Sequence, residues 1–523
     1  MTPEARRSDE VTWQAPIPGG WARDFRFGEW IGDPVTPLFA TWLLPTLEAA
    51  FWRALRRLAA MPTPQPTYVL VNGWYFTSMN FWPRHAVGWL WQIARHPRLL
   101  RVLLQFVPAL AGWALAPWER EWRREGLPHY RTIVQEAAAQ VDHADPQALL
   151  RLIERVGAAA GDYFAWVALV AGAGYKTEAS LAQFYRQHLS PTLGGTHQWL
   201  LAGVADPALP AATHAVHSLD WFHPTLADSQ AAGNGGSAPD GRAAAGLPKL
   251  GAGSATGAPP DHDRRADGPA ASLAAQVRAR IGADPRRRQQ FERLLATARR
   301  CAALREEVVA QFTLGWPVLR RATLRLGDAL VQRGALDHRD DLFFLTHDEL
   351  VAALERDGGT RLTALASQRR QEWERRRALV PPLRLGQLPE EFRRGVEQLE
   401  TSMAPGPPAA RGVVRGRPVS PGVAAGPARI IRGPDEFHRL QPGDVLVAPA
   451  TAPAWTPLFA RAAAVVTDTG GVLSHTSLVA REYGIPAIVG VGDATARLRD
   501  GQVVRVDGAT GVVEPQGAAE PGA

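Results

Sequence analysis

The sequence predicts a multidomain fold, with a mostly α-helical N-terminal part and a small C-terminal α/β domain. The chain has 523 residues, more than a single hydrophobic core usually organises. Residues 1–227 and 273–402 carry Leu, Ala, Trp and Arg at helical spacing. Residues 413–515 are instead rich in Val, Ala and Gly, in short apolar runs separated by turns, which indicates a β/β/α domain.

One short segment of the N-terminal part departs from the helical pattern. Tyr68–Val71 is a β-type run, Asn72-Gly73 is a typical hairpin turn and Trp74–Phe76 is a second run, so a β-hairpin is predicted here. Around it the sequence predicts long helical segments within 85–122, 130–156 and 289–332.

Two stretches of biased composition interrupt the chain. Residues 228–272 are almost entirely Gly, Ala, Pro, Ser and Asp, which bury too little apolar surface to fold, so we expect a disordered insertion in the helical domain. Residues 403–412 are Pro-rich and predict a semi-rigid tether. Residues 516–523 are predicted to be a tail.

Within the C-terminal domain, strands and short helices are predicted to alternate. Pro457–Arg461 and His475–Tyr483 have the pattern of short helices. The predicted strands are Ala428–Ile431, Val445–Pro449, Ala463–Thr467, Ala487–Val491 and Val503–Val506.

The composition excludes several classes of protein. A single cysteine, Cys301, excludes a disulfide framework and a multi-cysteine metal site, and it is typical of a reducing cytoplasm. The net charge of +7 is spread among interspersed charges without a basic block, so we expect no nucleic-acid binding. The start of the chain lacks the apolar core of a secretion signal. Val102–Trp118 is uncharged but short for a membrane span, so a buried helix or helix pair is predicted there.

The most informative segment follows a β-type run that ends at Thr467. Gly470 and Gly471 allow a sharp turn, Ser474 or Thr476 can cap a helix, and Gly484 stands where a left-handed residue ends one.

This arrangement places His475 at the N-terminal end of a helix, where backbone N–H groups favour an anion. A neutral imidazole there can act as a nucleophile toward a phosphoryl group. The alternative from the residues alone is a helix-capping or loop histidine.

A resemblance favours the first interpretation. The run from Gly470 to Glu482, followed by Tyr483-Gly484-Ile485-Pro486-Ala487, resembles the phosphohistidine signature of the phosphoenolpyruvate-utilising enzymes. Val419–Ala428 resembles the opening of their mobile domain. Leu473, two residues before the histidine, is more similar to the rifampicin phosphotransferase branch than to the dikinases. The resemblance implies a swivelling domain in which His475 carries the phosphoryl group.

The same resemblance implies roles for the residues around the histidine. Gly470, Gly471, Ser474 and Thr476 would shape the turn and cradle the phosphoryl group.

A second resemblance covers the helical part. Asp340–Leu350, Gly32–Leu38 and the predicted hairpin are similar to the substrate-binding domain of rifampicin phosphotransferase-like proteins. In that family an Arg-Glu pair on a helix faces the phosphohistidine, and Arg305 and Glu306 stand at the expected position. A basic residue for phosphate and a carboxylate for a hydroxyl proton suit this chemistry. A solvated charge pair on a helix is the alternative.

Members of the family ordinarily bind ATP in an ATP-grasp domain, and this sequence has no recognisable ATP-grasp signature. The only lysines, Lys176 and Lys249, lack a nucleotide-binding context, and no Gly-rich phosphate loop precedes either. We therefore expect a cytoplasmic phosphotransferase subunit that uses ATP and Mg²⁺ bound by a separate ATP-grasp partner, similar to the N-terminal part of pyruvate phosphate dikinase. The acceptor would be a hydroxyl or an enol of a small molecule.

No metal site is predicted on this chain. The remaining histidines have no carboxylate at a metal-like spacing in the sequence, and surface or packing roles are expected for His214, His217, His223, His338 and His347. Two other functions remain open. The mobile domain could serve as a non-catalytic, phosphorylation-dependent interaction module, or the chain alone could inactivate an antibiotic.

Overall fold

The structure is a computed structural model that describes most of both predicted domains. It describes residues 11–23, 26–61, 63–64, 66–79, 96–104, 111–189, 197–201, 214–225, 228, 269–282, 284–355, 361–379, 381–387, 413–471 and 474–516.

Several sequence predictions therefore lie outside the described residues. The predicted tether at 403–412 does, as do 229–268 of the predicted insertion and 517–523 of the predicted tail. The predicted end of the insertion, at residue 272, is wrong, because a helix already begins at Pro269.

The N-terminal part is built from helices packed around one large core. Three helices begin directly after π-helical turns, at Phe39–Leu43, Trp122–Gly126 and Val167–Ala171. The α-helices are Leu44–Ala59 (α1), Pro97–Leu104 (α2), Ala111–Glu121 (α3), Leu127–Gln140 (α4), Pro146–Trp166 (α5), Gly172–His188 (α6), Pro269–Ile281 (α7), Pro285–Ala310 (α8), Trp316–Gln332 (α9), His347–Glu355 (α10) and Thr363–Arg377 (α11).

Helices α1 and α5 pack closely at the centre of this core, and glycine permits their approach. A Cβ atom at Gly161 of α5 would lie 2.5 Å from the Leu47 carbonyl oxygen and 2.7 Å from the Ala50 Cβ, both on α1. Since the Leu47 oxygen is backbone, it cannot move aside without shifting α1. The absence of a side chain at Gly161 therefore permits the close approach of the two helices.

Gly161→Ala should destabilise the helical domain by about 1–3 kcal/mol, because the added methyl group overpacks the interface between α1 and α5. Gly172→Ala is the matched control, since a Cβ there meets nothing within 4 Å. We expect the control to change the unfolding free energy by less than about 1 kcal/mol. Urea-induced unfolding measures both variants, and equal stabilities would contradict the packing.

A small antiparallel sheet closes the helical domain on one side. Its strands are Trp21–Ala22 (β1), Tyr68–Val71 (β2), Trp74–Ser78 (β3) and Arg384–Leu385 (β4), in the spatial order β2-β3-β1-β4. The predicted hairpin is confirmed, with Asn72 and Gly73 at positive φ in its turn. Because β1 pairs with both β3 and β4, the sheet joins the beginning and the end of the helical domain.

The C-terminal domain is a mixed sheet with short helices. Strands β7 to β10 run parallel, whereas the flanking pairs are antiparallel. The spatial order is β5-β12-β11-β7-β8-β9-β10-β6. The strands are Val414–Arg415 (β5), Arg417–Ser420 (β6), Val423–Ile430 (β7), Val445–Ala448 (β8), Ala464–Thr467 (β9), Ala487–Val489 (β10), Val503–Asp507 (β11) and Val512–Pro515 (β12), and the α-helices are Thr456–Phe459 (α12), His475–Tyr483 (α13) and Ala494–Arg497 (α14).

One helical run among the described residues is long and apolar enough to cross a membrane. It extends over Pro146–His188, and 76% of its most apolar window is buried inside the fold. A core helix of a globular domain has the same length and composition. This run does not include Val102–Trp118, the uncharged stretch considered in the sequence analysis.

Candidate active site

The loop between β9 and α13 fixes the start of that helix. It contains Gly470 with a φ of 125°, a conformation that favours glycine. The Ser477 hydroxyl donates to the Gly471 carbonyl at 2.7 Å, and the Ser474 N–H donates to the same carbonyl at 2.9 Å. The Gly-Gly turn is therefore tied to the N-terminus of α13.

Helix α13 has the bounds that the sequence predicts, His475–Tyr483. Gly484 ends it with a φ of 66°, in the predicted left-handed conformation. Its N–H bonds the carbonyls of the last turn, as expected for a C-terminal cap. The sequence alone thus places the histidine on the first residue of a short helix.

The predicted side-chain cap at the other end of α13 is wrong. Ser474 occupies the cap position, but its hydroxyl lies 3.0 Å from Ser477 Oγ and makes no capping bond. The Thr476 hydroxyl is buried 2.7 Å from Thr451 Oγ1. Both hydroxyls therefore bond other side chains in this conformation.

The imidazole of His475 is half-buried against the neighbouring helix α12. Its Nε2 lies 3.3 Å from Thr456 Oγ1, and its ring meets the Phe459 ring edge-on. The Thr456 hydroxyl donates to the Pro453 carbonyl at 2.9 Å, so its oxygen can accept from the imidazole N–H. Sequence reasoning missed Thr456, whose local signal is a Thr-Pro pair at the start of a short helix.

Burial lowers the pKa of His475, and the positive charge of Arg305 adds to the effect, so that the pKa falls to about 3. The ring is consequently neutral at pH 7 and keeps a lone pair on one nitrogen. A phosphoryl carrier requires this protonation state, because an imidazolium ion has no lone pair to attack phosphorus.

NMR titration of the histidine ring signals should place the pKa of His475 well below the ordinary value of 6.5. Since the buried ring binds fewer protons than an exposed one, acidification from about pH 6.5 toward 3 should destabilise this arrangement. The His475→Gln variant identifies the signal by its loss. A titration midpoint near the ordinary value would contradict the burial of the ring.

Arg305 and Glu306 lie on α8, and the structure brings Arg305 into electrostatic reach of His475. Cys301, Arg305 and Val308 share the buried face of the helix, at a spacing of one turn. The Arg305 Nη1 donates to Glu306 Oε1 at 2.6 Å, and the Glu306 side chain is one-quarter exposed. The helical domain therefore presents a cation and a carboxylate near the phosphohistidine candidate.

Two further polar contacts join the domains, and sequence reasoning missed both. The Trp455 indole N–H donates to His217 Nδ1 at 2.9 Å. Arg481 of α13 lies 3.6 Å from Glu178 of α6, and both side chains are buried. Trp455 directly precedes Thr456, which contacts His475, and Arg481 lies on the helix that begins at His475, so these contacts hold the histidine in its position relative to the helical domain.

Among the remaining histidines, two lie beside a carboxylate that the sequence did not indicate. His217 and His223 are buried and lie 3.6 and 3.4 Å from the Asp33 carboxylate. The carboxylate was missed because it comes from a distant loop near the start of the chain. His214 bonds the Ala310 carbonyl and His347 stacks on Trp42, as packing roles predict.

The C-terminal domain is similar to a known protein family. Residues 440–511 match the model of the family described as PEP-utilising enzyme, mobile domain. The chain contains the mobile domain of the PEP-utilising enzymes. The matched segment begins shortly before the strand β8, includes His475 and ends at the turn before β12.

Several curated proteins are similar to part of the chain. "Uncharacterized phosphotransferase YvkC" of Bacillus subtilis is 40% identical over 190 residues, which are 36% of this chain and 23% of that protein. A rifampicin phosphotransferase of Bacillus subtilis is 35% identical over 198 residues, 38% of this chain and 22% of its own length. The phosphoenolpyruvate synthase of Aeropyrum pernix is 51% identical over 102 residues, 19% of this chain and 12% of its own length.

The similarity covers a minor part of each relative. The chain matches less than a quarter of the length of the three proteins just described. The matched segments therefore do not transfer the activity of the whole relatives to this chain.

Proposed function

We propose that this chain is a phosphotransferase subunit in which His475 accepts a phosphoryl group and passes it to a small-molecule hydroxyl or enol. The observation that carries the proposal is the position of His475 on the first residue of α13, within electrostatic reach of Arg305 on the buried face of α8. The match of 440–511 to a PEP-utilising mobile domain supports phosphoryl transfer as the class of reaction. Phosphotransferases and a phosphoenolpyruvate synthase among the relatives support it as well.

The first step is proposed to occur on a separate ATP-grasp partner that binds ATP and Mg²⁺. A lone pair of the neutral His475 ring attacks phosphorus, a P–N bond forms, and the P–O bond of the nucleotide breaks. The ring nitrogen opposite the attacking one keeps its proton, and the nucleotide leaves as the anion. For this step the mobile domain is proposed to leave the position seen here, in which its half-buried histidine packs on α12 and lies within electrostatic reach of Arg305.

The second step is proposed to occur in the position that the structure describes. The acceptor oxygen attacks phosphorus, a P–O bond forms and the P–N bond breaks, which restores the neutral ring. Arg305 balances the charge on the phosphoryl group, and Glu306 takes the acceptor proton. Gly470 and Gly471 bring backbone N–H groups to the N-terminus of α13, where a phosphoryl group is favoured.

Ser474 and Thr476 are proposed to complete the phosphoryl site. Their hydroxyls bond Ser477 and Thr451 here, so a cradling role requires them to exchange these partners for phosphoryl oxygens. We place the whole reaction in the cytoplasm, where a buried free thiol such as Cys301 stays reduced.

Incubation with radiolabelled ATP tests whether this chain needs a separate ATP-grasp protein for its phosphorylation. The chain alone should take up no label, whereas the chain with an ATP-grasp partner should take up an acid-labile label. Strong labelling of the chain alone would contradict the split enzyme. A stable label that no phenol, enol or carboxylate metabolite discharges would instead favour a non-catalytic interaction module.

A further inference from the structure

Three buried side chains converge at the boundary between the two domains, outside the proposed phosphoryl site. His217 Nε2 lies 3.6 Å and His223 Nε2 lies 3.4 Å from Asp33 Oδ2, and all three atoms are within 4.8 Å of one another. Each side chain is more than nine-tenths buried. None of the three atoms has a hydrogen-bond partner, although a buried polar atom without one is costly.

The surrounding structure fixes the direction of these side chains. The Asp220 carboxylate accepts from the Thr36 N–H at 2.6 Å and from the Thr36 hydroxyl at 3.0 Å, which joins the loop of Asp33 to the turn between the two histidines. The Arg377 Nε donates to Asp33 Oδ1 at 3.3 Å, so Oδ2 is directed at the imidazoles. Such outer contacts are typical of metal ligands.

The spacing of the three atoms fits a metal ion. With metal–ligand bonds of about 2.1 Å, two ligands of a tetrahedral ion lie about 3.4 Å apart. The two separations from Asp33 Oδ2, 3.4 and 3.6 Å, match this value, and the two imidazole nitrogens lie within 4.8 Å of each other. Two imidazoles and one carboxylate suit Zn²⁺, Co²⁺ or another first-row divalent ion, whereas Mg²⁺ and Ca²⁺ prefer oxygen ligands.

The contact between Trp455 and His217 opposes metal binding. Because the indole N–H donates to Nδ1, a neutral His217 ring carries its proton on Nε2, the atom that faces Asp33. A metal on Nε2 requires the other tautomer, whose Nδ1–H would confront the indole N–H. Trp455 directly precedes Thr456, which contacts His475, so a metal at His217 would disfavour the described position of the mobile domain.

We propose that Asp33, His217 and His223 form a site for a divalent transition-metal ion, and that metal binding competes with the Trp455 contact that holds the mobile domain against the helical domain. The site differs from the phosphoryl site in its residues and in its ligand. It stands independently of the proposed function, since it concerns only metal binding and the Trp455 hydrogen bond.

Titration of the untagged full chain with Co²⁺, followed by its visible absorption, tests the site, and competition with Zn²⁺ extends the test. The wild-type chain should bind one ion, and His223→Ala should weaken the affinity by at least about tenfold. His217→Gln should weaken the Co²⁺ affinity similarly, and it provides a second test if the His223→Ala chain does not fold. His438→Ala removes an exposed histidine of the mobile domain and should leave the affinity unchanged.

Trp455→Phe tests the competition, since it keeps an aromatic ring but removes the indole donor. The variant should bind Co²⁺ more tightly than the wild type. Equal affinities would overturn the competition. Absence of binding by the wild type, or unchanged affinity in both His223→Ala and His217→Gln, would overturn the metal site.

Discussion

His475→Asn should reduce phosphoryl transfer by at least about 10³-fold, the scale of loss expected when a covalent nucleophile is removed. The amide of Asn can occupy the first position of α13, but it offers no lone pair of comparable nucleophilicity. Label uptake from ATP in the presence of the partner, and transfer to an acceptor, should fall together. The two rates are measured by radiolabel counting after rapid quenching in alkali.

His438→Asn is the matched control for this variant, because His438 is an exposed histidine on the same domain. It should retain the wild-type rates. Urea-induced unfolding of both variants separates a chemical defect from a folding defect. Substantial label uptake by the His475→Asn chain would contradict the assignment of the carrier.

Arg305→Met should lower the rate of phosphoryl transfer to the acceptor by about 10²–10³-fold, as expected when a charge that stabilises the transition state is lost. The side chain is buried beside His475, and Met fills a similar volume without the charge. Phosphorylation of His475 by the partner should be nearly unchanged, because the mobile domain must then be away from α8. Label uptake and label discharge are measured separately on the same preparation.

Two comparisons sharpen this prediction. Arg300→Met removes an exposed arginine of the same helix, which pairs with Glu119, and should leave both rates unchanged. Arg305→Lys keeps the charge and should recover part of the discharge rate. Removal of Arg305 also raises the pKa of His475, but burial keeps that pKa low, so the rate above pH 6.5 should not acquire a new pH dependence. Equal loss of uptake and discharge would argue against two separate positions of the mobile domain.

Local sequence signals predicted much of the C-terminal domain. Gly484 and the apolar run before Gly470 defined both ends of the segment that carries His475, because turn and cap geometry depends on adjacent residues. The strands β8 to β11 were predicted to within two residues at each end. The edge strands β5 and β6 were missed, and so was the short strand β12 beside β5, since strands of two to four residues lack a strong apolar pattern.

Contacts between distant residues could not be predicted in this way. The hydroxyl of Thr456 reaches His475 only because α12 packs beside α13, and Glu178 reaches Arg481 only when the domains meet. The convergence of Asp33 with His217 depends on packing between two loops far apart in the sequence. Arg305 was identified through a family resemblance, although its position on the buried face of α8 also sets it apart from a solvated charge.

Mapping the phosphoryl group on the labelled chain tests the central claim most directly. The chain is incubated with ATP and the proposed ATP-grasp partner, digested at alkaline pH and sequenced by mass spectrometry under conditions that preserve P–N bonds. The proposed mechanism predicts one phosphoryl group, on the imidazole of His475, that is lost in acid. An acid-stable phosphoryl group on the hydroxyl of Ser474, Thr476 or Thr456, with His475 unmodified, would contradict it.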